Sequence, residues 1–136
     1  FPKLFQFLQF LNRKIFQTFT LPGLEENNDF VIFDRWSLST LVYGIASGVS
    51  SEFVKKLYDG LRHPDHTILL LGKSHMKEAE DVYEADAELQ KRVRDYYYDW
   101  AKLHPISATV IDCSLERHEV ANIINKTLTR SGLFLK

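Results

Sequence analysis

Little in this 136-residue chain announces a particular chemistry. It has one cysteine, Cys113, so no intramolecular disulfide can form, and a lone thiol suits a reducing compartment. No histidines and cysteines stand at zinc-ligand spacing. Lysine and arginine total 17 against 18 acidic residues, a net charge of −1, so the total carries no basic footprint and points away from nucleic acid as partner. The longest apolar runs fall far short of the ~20 residues that cross a bilayer, which points away from a membrane. Residues 1–19 are rich in phenylalanine but interspersed with Lys3, Gln6, Gln9, Asn12, Arg13, Lys14 and Gln17, unlike a signal peptide. Glycine is scarce, six in all, and none completes the phosphate-cradling pattern Gly-x-x-x-x-Gly-Lys-Ser/Thr. Gly72-Lys73-Ser74 has its tail, but the leading glycine would have to stand at Thr67, with no glycine-rich loop before it.

What is present is a globular composition, 45% hydrophobic and 26% charged, in a length that makes one domain with a real core. The most informative stretch runs from Val31 to Gly44. Phe30 to Phe33 form an unbroken apolar run, the pattern of a strand covered on both faces. Asp34 and Arg35 stand where that strand would leave the sheet. Ser37 is placed to cap a helix along which Leu38, Leu41, Val42 and Ile45 recur. A strand end opening into a helix is where open α/β sheets bind ligands, and free N–H groups there attract anions. The planar fork of Arg35 matches phosphate or carboxylate. The residues alone fit equally well an ordinary surface ion pair with a cap.

Elsewhere the pattern predicts a helix over 1–19, with Leu4, Leu8, Leu11, Ile15 and Phe19 as its apolar stripe. Pro22-Gly23 should break it, and Glu25 to Asp29 should form a solvated loop. Phe53, Leu57 and Leu61 mark a further helix stopped at His63-Pro64. Thr67–Leu71 and Ala108–Asp112 read as buried strands. Glu84 to Leu103 reads as a helix, with Leu89, Val93, Tyr96, Trp100 and Leu103 inward. Ser114 should cap a last helix facing in through Val120, Ile123, Ile124 and Leu128 and ending at Gly132. The acid-rich run from Glu78 to Glu88 reads as a solvated face rather than a metal site. This alternation gives an α/β domain with a parallel sheet.

Four segments in register resemble the thymidylate kinase family. Asp34-Arg35-Trp36-Ser37-Leu38-Ser39-Thr40-Leu41-Val42-Tyr43 is similar to its Asp-Arg-aromatic-x-x-Ser-x-x-Ala-Tyr stretch. Pro64-Asp65 leading into Thr67–Leu71 is similar to its Pro-Asp-led strand. Tyr83-Glu84 resembles its aromatic-Glu pair, and Val110-Ile111-Asp112-Cys113-Ser114 its late strand end. The resemblance covers about Phe5 to Leu128. It implies a P-loop-kinase-like three-layer fold whose phosphate-loop strand precedes Phe1, so that residues 1–136 are the acceptor, lid and C-terminal part of one nucleoside monophosphate kinase domain.

The activity so implied is transfer of the ATP γ-phosphate to dTMP, with Mg²⁺ bridging the donor phosphates, in a cytoplasmic homodimer. Asp34 and Arg35 would be catalytic, Asp34 also ordering Mg²⁺ or its water. Arg13, Arg35, Ser39, Thr40, Tyr43, Tyr83 and Glu84 would bind the acceptor nucleotide. Lys73, Cys113, Ser114 and Leu115 would lie against ATP. Capping is the competing role for Ser39 and Thr40, and core packing for Tyr83. Two departures stand out. Gly72 replaces an Asp common in the family, and no arginine lies between Gly72 and Arg92. The short lid is closer to eukaryotic and poxvirus-type members, in which the resemblance implies a catalytic arginine on the phosphate loop. Two rivals remain: a related kinase with another nucleotide acceptor, and a kinase-like module that binds without catalysis.

Overall fold

The computed structural model describes residues 1–72 and 86–132. The chain divides into two compact units, Phe1–His63 and Pro64–Lys136.

The first unit is helical. Helix α1 spans Pro2–Phe19, α2 Leu21–Asn27, α3 Ser37–Ala46 and α4 Ser51–Asp59. Pro22 sits in the first turn of α2, where its missing N–H costs nothing. The predicted break is therefore a bend between two helices, and the predicted loop begins only after Asn27. α3 packs on α4, with α1 against both. The crossing is tight because Gly44 has no side chain: a Cβ there would lie 2.4 Å from Val54 Cγ1. Leu38, Val42, Ala46, Val54, Leu57 and Leu61 form the core.

α1 turns an unexpected face inward. The stripe Leu4, Leu8, Leu11, Ile15 and Phe19 is exposed, Phe19 at 80%. The inward face is Gln6, Phe10, Arg13 and Gln17, at the same helical spacing. Gln6 is buried near Gly44, and Phe10 lies over Gly60. Polar groups on this face are used. Lys14 Nζ donates to the Gly60 carbonyl at 2.7 Å, and Gln17 Oε1 accepts from the Arg62 N–H at 2.6 Å. They satisfy backbone groups at the end of α4 that the helix itself leaves unpaired.

Phe30 to Phe33 forms no regular element and pairs with no strand among the described residues, and Ile32 is 90% exposed. This corrects the expected buried strand. An apolar run records a demand for burial; a strand also needs a partner for its backbone groups. Aromatic packing anchors the segment instead. Phe33 stacks on Trp36 with centroids 4.4 Å apart, and Phe16 of α1 meets both edge-on at 5.9 Å.

The second unit contains β1 (Thr67–Leu71), α5 (Ala87–Leu103), β2 (Ala108–Asp112) and α6 (Arg117–Arg130). β1 and β2 pair in parallel, from Thr67 opposite Ala108 to Leu71 opposite Asp112. Both α5 and α6 pack on β2. Asp86 caps α5 by accepting from the N–H groups of Glu88 and Leu89. Leu89 and Val93 are buried as expected, but Tyr96 and Leu103 are exposed. The cap of α6 is Glu116, in a reciprocal box with Glu119, and not Ser114.

Candidate functional site

The site is built on the first half of α3. The N-cap is Trp36, and Ser37 is the first helical residue, one position later than its predicted role. Ser37 Oγ is buried and has no hydrogen-bond partner among the described residues. The Trp36 indole N–H donates to the Arg62 carbonyl at 2.9 Å, and Arg62 pairs with Glu25. The start of α3 is thus tied to the end of α4 and to α2.

Asp34 and Arg35 stand just ahead of this anchored start, both exposed. Arg35 has φ +59°, the one positive φ at a non-glycine among the described residues. Such a conformation costs on the order of 1–3 kcal/mol and persists only where its surroundings impose it. Here it turns the side chain along α3. Helix side chains lean toward the N-terminus, so Tyr43 reaches back to meet it. Arg35 Nη1 donates to the Tyr43 hydroxyl at 3.0 Å, and the guanidinium carbon lies 5.2 Å from the ring centroid.

A second arginine reaches the same helix from α1. Arg13 Nη1 donates to Thr40 Oγ1. Thr40 and Tyr43 are three residues apart and share a face of α3. Arg13, Arg35, Thr40 and Tyr43 therefore converge, and two guanidinium groups meet one helix face near a helix start. That combination suits an anionic, hydrogen-bonding ligand. Ser39 and Thr40 are buried inside α3, past its N-cap. Phe10 packs at Gly60, which is core work rather than ligand stacking.

Cys113, Ser114 and Leu115 lie in the second unit, where β2 ends. The Cys113 N–H extends the ladder to the Leu71 carbonyl at 3.1 Å. The Ser114 N–H donates to Asp112 Oδ1 at 2.9 Å. Hydrogen bonds from Ser114 hold the Asp112 carboxyl below its ordinary value. Gly72 matters here for space: a Cβ would lie 2.7 Å from Asp112 Oδ1 and 3.1 Å from Cys113 Sγ. Lys73, Tyr83 and Glu84 lie outside the described residues.

The family model for thymidylate kinase matches residues 2–124. The chain belongs to the thymidylate kinase family. A thymidylate kinase of Ehrlichia chaffeensis is 31% identical over 120 residues, covering 83% of this chain and 59% of that protein. A probable thymidylate kinase of Methanococcus maripaludis is 30% identical over 79 residues, 53% of this chain and 39% of that protein. The chain thus spans well under two thirds of the length of these relatives. No solved structure matches. The α/β composition with a parallel strand pair is consistent with the P-loop kinase-like fold of thymidylate kinases.

Arg13, Arg35, Thr40 and Tyr43 are candidates from the family resemblance, which did not show the contacts that hold them. Trp36, Gln17, Lys14 and Arg62 fix the helix ends that present the arginines. A signal was available: polar residues on α1 at the periodicity of a buried stripe.

Proposed function

We propose that the chain is the acceptor, lid and C-terminal part of a nucleoside monophosphate kinase that transfers the γ-phosphate of ATP to dTMP, giving dTDP. The convergence of Arg35 and Arg13 on one face of α3, behind Asp34, supports this reading most directly. Phosphoryl transfer asks little covalent work of a protein; positioning and neutralising charge supply most of the rate.

Arg35 receives the acceptor phosphate as a planar fork. Arg13, with Ser39 and Thr40, lines the pocket for the rest of the nucleotide. By the family resemblance, Tyr83 and Glu84 also bind the acceptor nucleotide and Lys73 the ATP. Cys113, Ser114 and Leu115 lie along the ATP adenine. No group of three or more metal-binding side chains exists among the described residues. Mg²⁺ commonly takes only one or two carboxylates besides substrate phosphates and water, so a single carboxylate can serve it. Asp34, exposed beside Arg35, is placed to hold it through water. Bound there, Mg²⁺ neutralises charge on the donor phosphates. The apolar outer face of α1 supports a homodimer, and the nucleotide substrates fit a cytoplasmic enzyme.

Calorimetric titration with dTMP, dCMP, dGMP and UMP tests the acceptor class. The protein should prefer dTMP, and Arg35→Ala should weaken dTMP at least tenfold, about 1.4 kcal/mol or more. Tighter binding of another nucleotide would reassign the acceptor. Unchanged dTMP affinity in Arg35→Ala would refute the site.

A further inference from the structure

The arrangement around Arg35 gives Tyr43 a different job from that of a pocket wall. We propose that Tyr43 is a positioning residue for Arg35, holding the guanidinium fork in the orientation that takes the acceptor phosphate. The inference rests on the reading of Arg35 as the phosphate-binding residue.

Three observations carry it. Arg35 is exposed, so burial does not fix its long side chain. Its backbone adopts φ +59° just ahead of α3, the one positive φ at a non-glycine among the described residues. Its guanidinium then meets Tyr43 in two ways at once: Nη1 donates to the phenol oxygen at 3.0 Å, and the group lies over the ring, 5.2 Å from its centroid. A hydrogen bond fixes one end of the fork, and the ring face limits its tilt. An arginine has five N–H donors in a fixed plane, more than one phenol oxygen can use. Holding one edge therefore orients the plane without consuming it. Restricting a flexible side chain beforehand removes an entropy cost that phosphate binding would otherwise bear.

Tyr43 is suited to this. It is half-buried on a helix whose next residue, Gly44, lies closely against Val54. The tether thus stands on a rigid crossing rather than on a loop.

Direct contact with base or sugar and positioning of Arg35 predict different selectivity. A contact to base or sugar serves thymidine and dTMP alike. A tether on Arg35 serves only the ligand with a phosphate. Calorimetric affinities of thymidine and dTMP should therefore be measured for wild type, Tyr43→Phe, Tyr43→Leu, Arg35→Ala and the Arg35→Ala/Tyr43→Phe double variant. Tyr43→Phe keeps the ring and removes only the hydroxyl; circular dichroism melting confirms that each variant is folded.

The expected result is a three- to tenfold loss for dTMP in Tyr43→Phe (about the ordering cost of one long side chain), a larger loss in Tyr43→Leu, and thymidine affinity unchanged in Tyr43→Phe. In the Arg35→Ala background Tyr43→Phe should change nothing further. Equal losses for thymidine and dTMP overturn the proposal, because Tyr43 then touches the nucleoside. So does unchanged dTMP affinity in Tyr43→Phe. A wild type that binds dTMP no better than thymidine overturns the reading of Arg35 itself, and the proposal with it.

Discussion

Gly44→Ala puts two opposing effects in one position. Within a helix, alanine is favoured over glycine by about 1 kcal/mol. Gly44 is the eighth residue of the ten in α3, so propensity alone predicts a gain. The structure predicts the opposite sign. The new Cβ would stand 2.4 Å from Val54 Cγ1 and 3.2 Å from Val54 Cβ. Val54 is fully buried in α4, and a β-branched side chain in a helix has one strongly preferred rotamer. It cannot swing aside cheaply, so α4 must move off α3. Overpacking of this kind costs about 1–3 kcal/mol, and a 2.4 Å contact belongs at the upper end. The net expectation is a loss of about 1–2 kcal/mol, or roughly 3–8 °C in Tm for a chain of this length.

Thermal unfolding followed by circular dichroism should be compared for Gly44→Ala, Val54→Ala and the double variant. Val54→Ala alone removes two buried methyl groups and should cost about 2–3 kcal/mol. With that space open, Gly44→Ala should become neutral or stabilising by up to about 1 kcal/mol, because only the propensity gain remains. A Gly44→Ala single variant that melts higher than wild type would refute the reasoning. It would mean that the α3–α4 crossing is looser than its geometry. Because Tyr43 precedes Gly44, the single variant should also weaken dTMP binding.

Asp86→Ala removes both hydrogen bonds that cap α5 and should cost about 1 kcal/mol in chemical denaturation, while Asp86→Asn should recover most of it. His66 lies before β1 with Nε2 2.9 Å from Thr109 Oγ1, and burial lowers its pKa from 6.5. The unfolded chain then binds the extra proton more readily, so the stability His66 contributes is complete above 6.5 and declines as pH falls toward the lowered value. His66→Gln should flatten that part of the Tm-against-pH curve. On α1, Leu8→Glu with Leu11→Glu places charge on the exposed stripe. If the α1 face forms the proposed homodimer, this variant should sediment as a monomer while keeping its helix content in circular dichroism, since neither side chain is in the core.

The bounds of the two strands were legible to the residue, but not their burial: only Leu69 and Ile111 are buried, while Leu70 and Val110 are exposed. Thr67–Leu71 and Ala108–Asp112 are short apolar runs bracketed by turn formers, and each found the other as partner. Phe30 to Phe33 has the same local signature and is not a strand. Sequence composition cannot say whether a partner strand is at hand, and strand pairing depends on that alone. The α1 stripe failed for a related reason. Periodicity identifies two faces but not which neighbour each meets. On the inward face, Arg13 bonds Thr40 and Gln17 accepts from the Arg62 N–H, while Gln6 and Phe10 pack at Gly44 and Gly60. Lys14, beside that face, takes the Gly60 carbonyl in the same way.

The candidate site residues could be named from the sequence by resemblance; their mutual arrangement could not. Arg35 and Tyr43 are eight residues apart, which along a straight helix is about 12 Å of rise. Residues so separated are not expected to touch, and the family resemblance implies Arg35 on phosphate and Tyr43 on the nucleoside as independent contacts. Two backbone facts close the gap. Helix side chains lean toward the N-terminus, carrying the Tyr43 hydroxyl back by about a turn. The left-handed φ of Arg35 carries the guanidinium forward to meet it. Arg35→Gly therefore separates backbone from side chain as causes. It relieves the strain at this φ while deleting the fork, so it should be more stable than Arg35→Ala by several tenths of a kcal/mol or more. Yet it should bind dTMP no better. If Arg35→Ala instead proves the more stable, the left-handed turn is not held by its surroundings, and the orientation of the fork must come from Tyr43 alone.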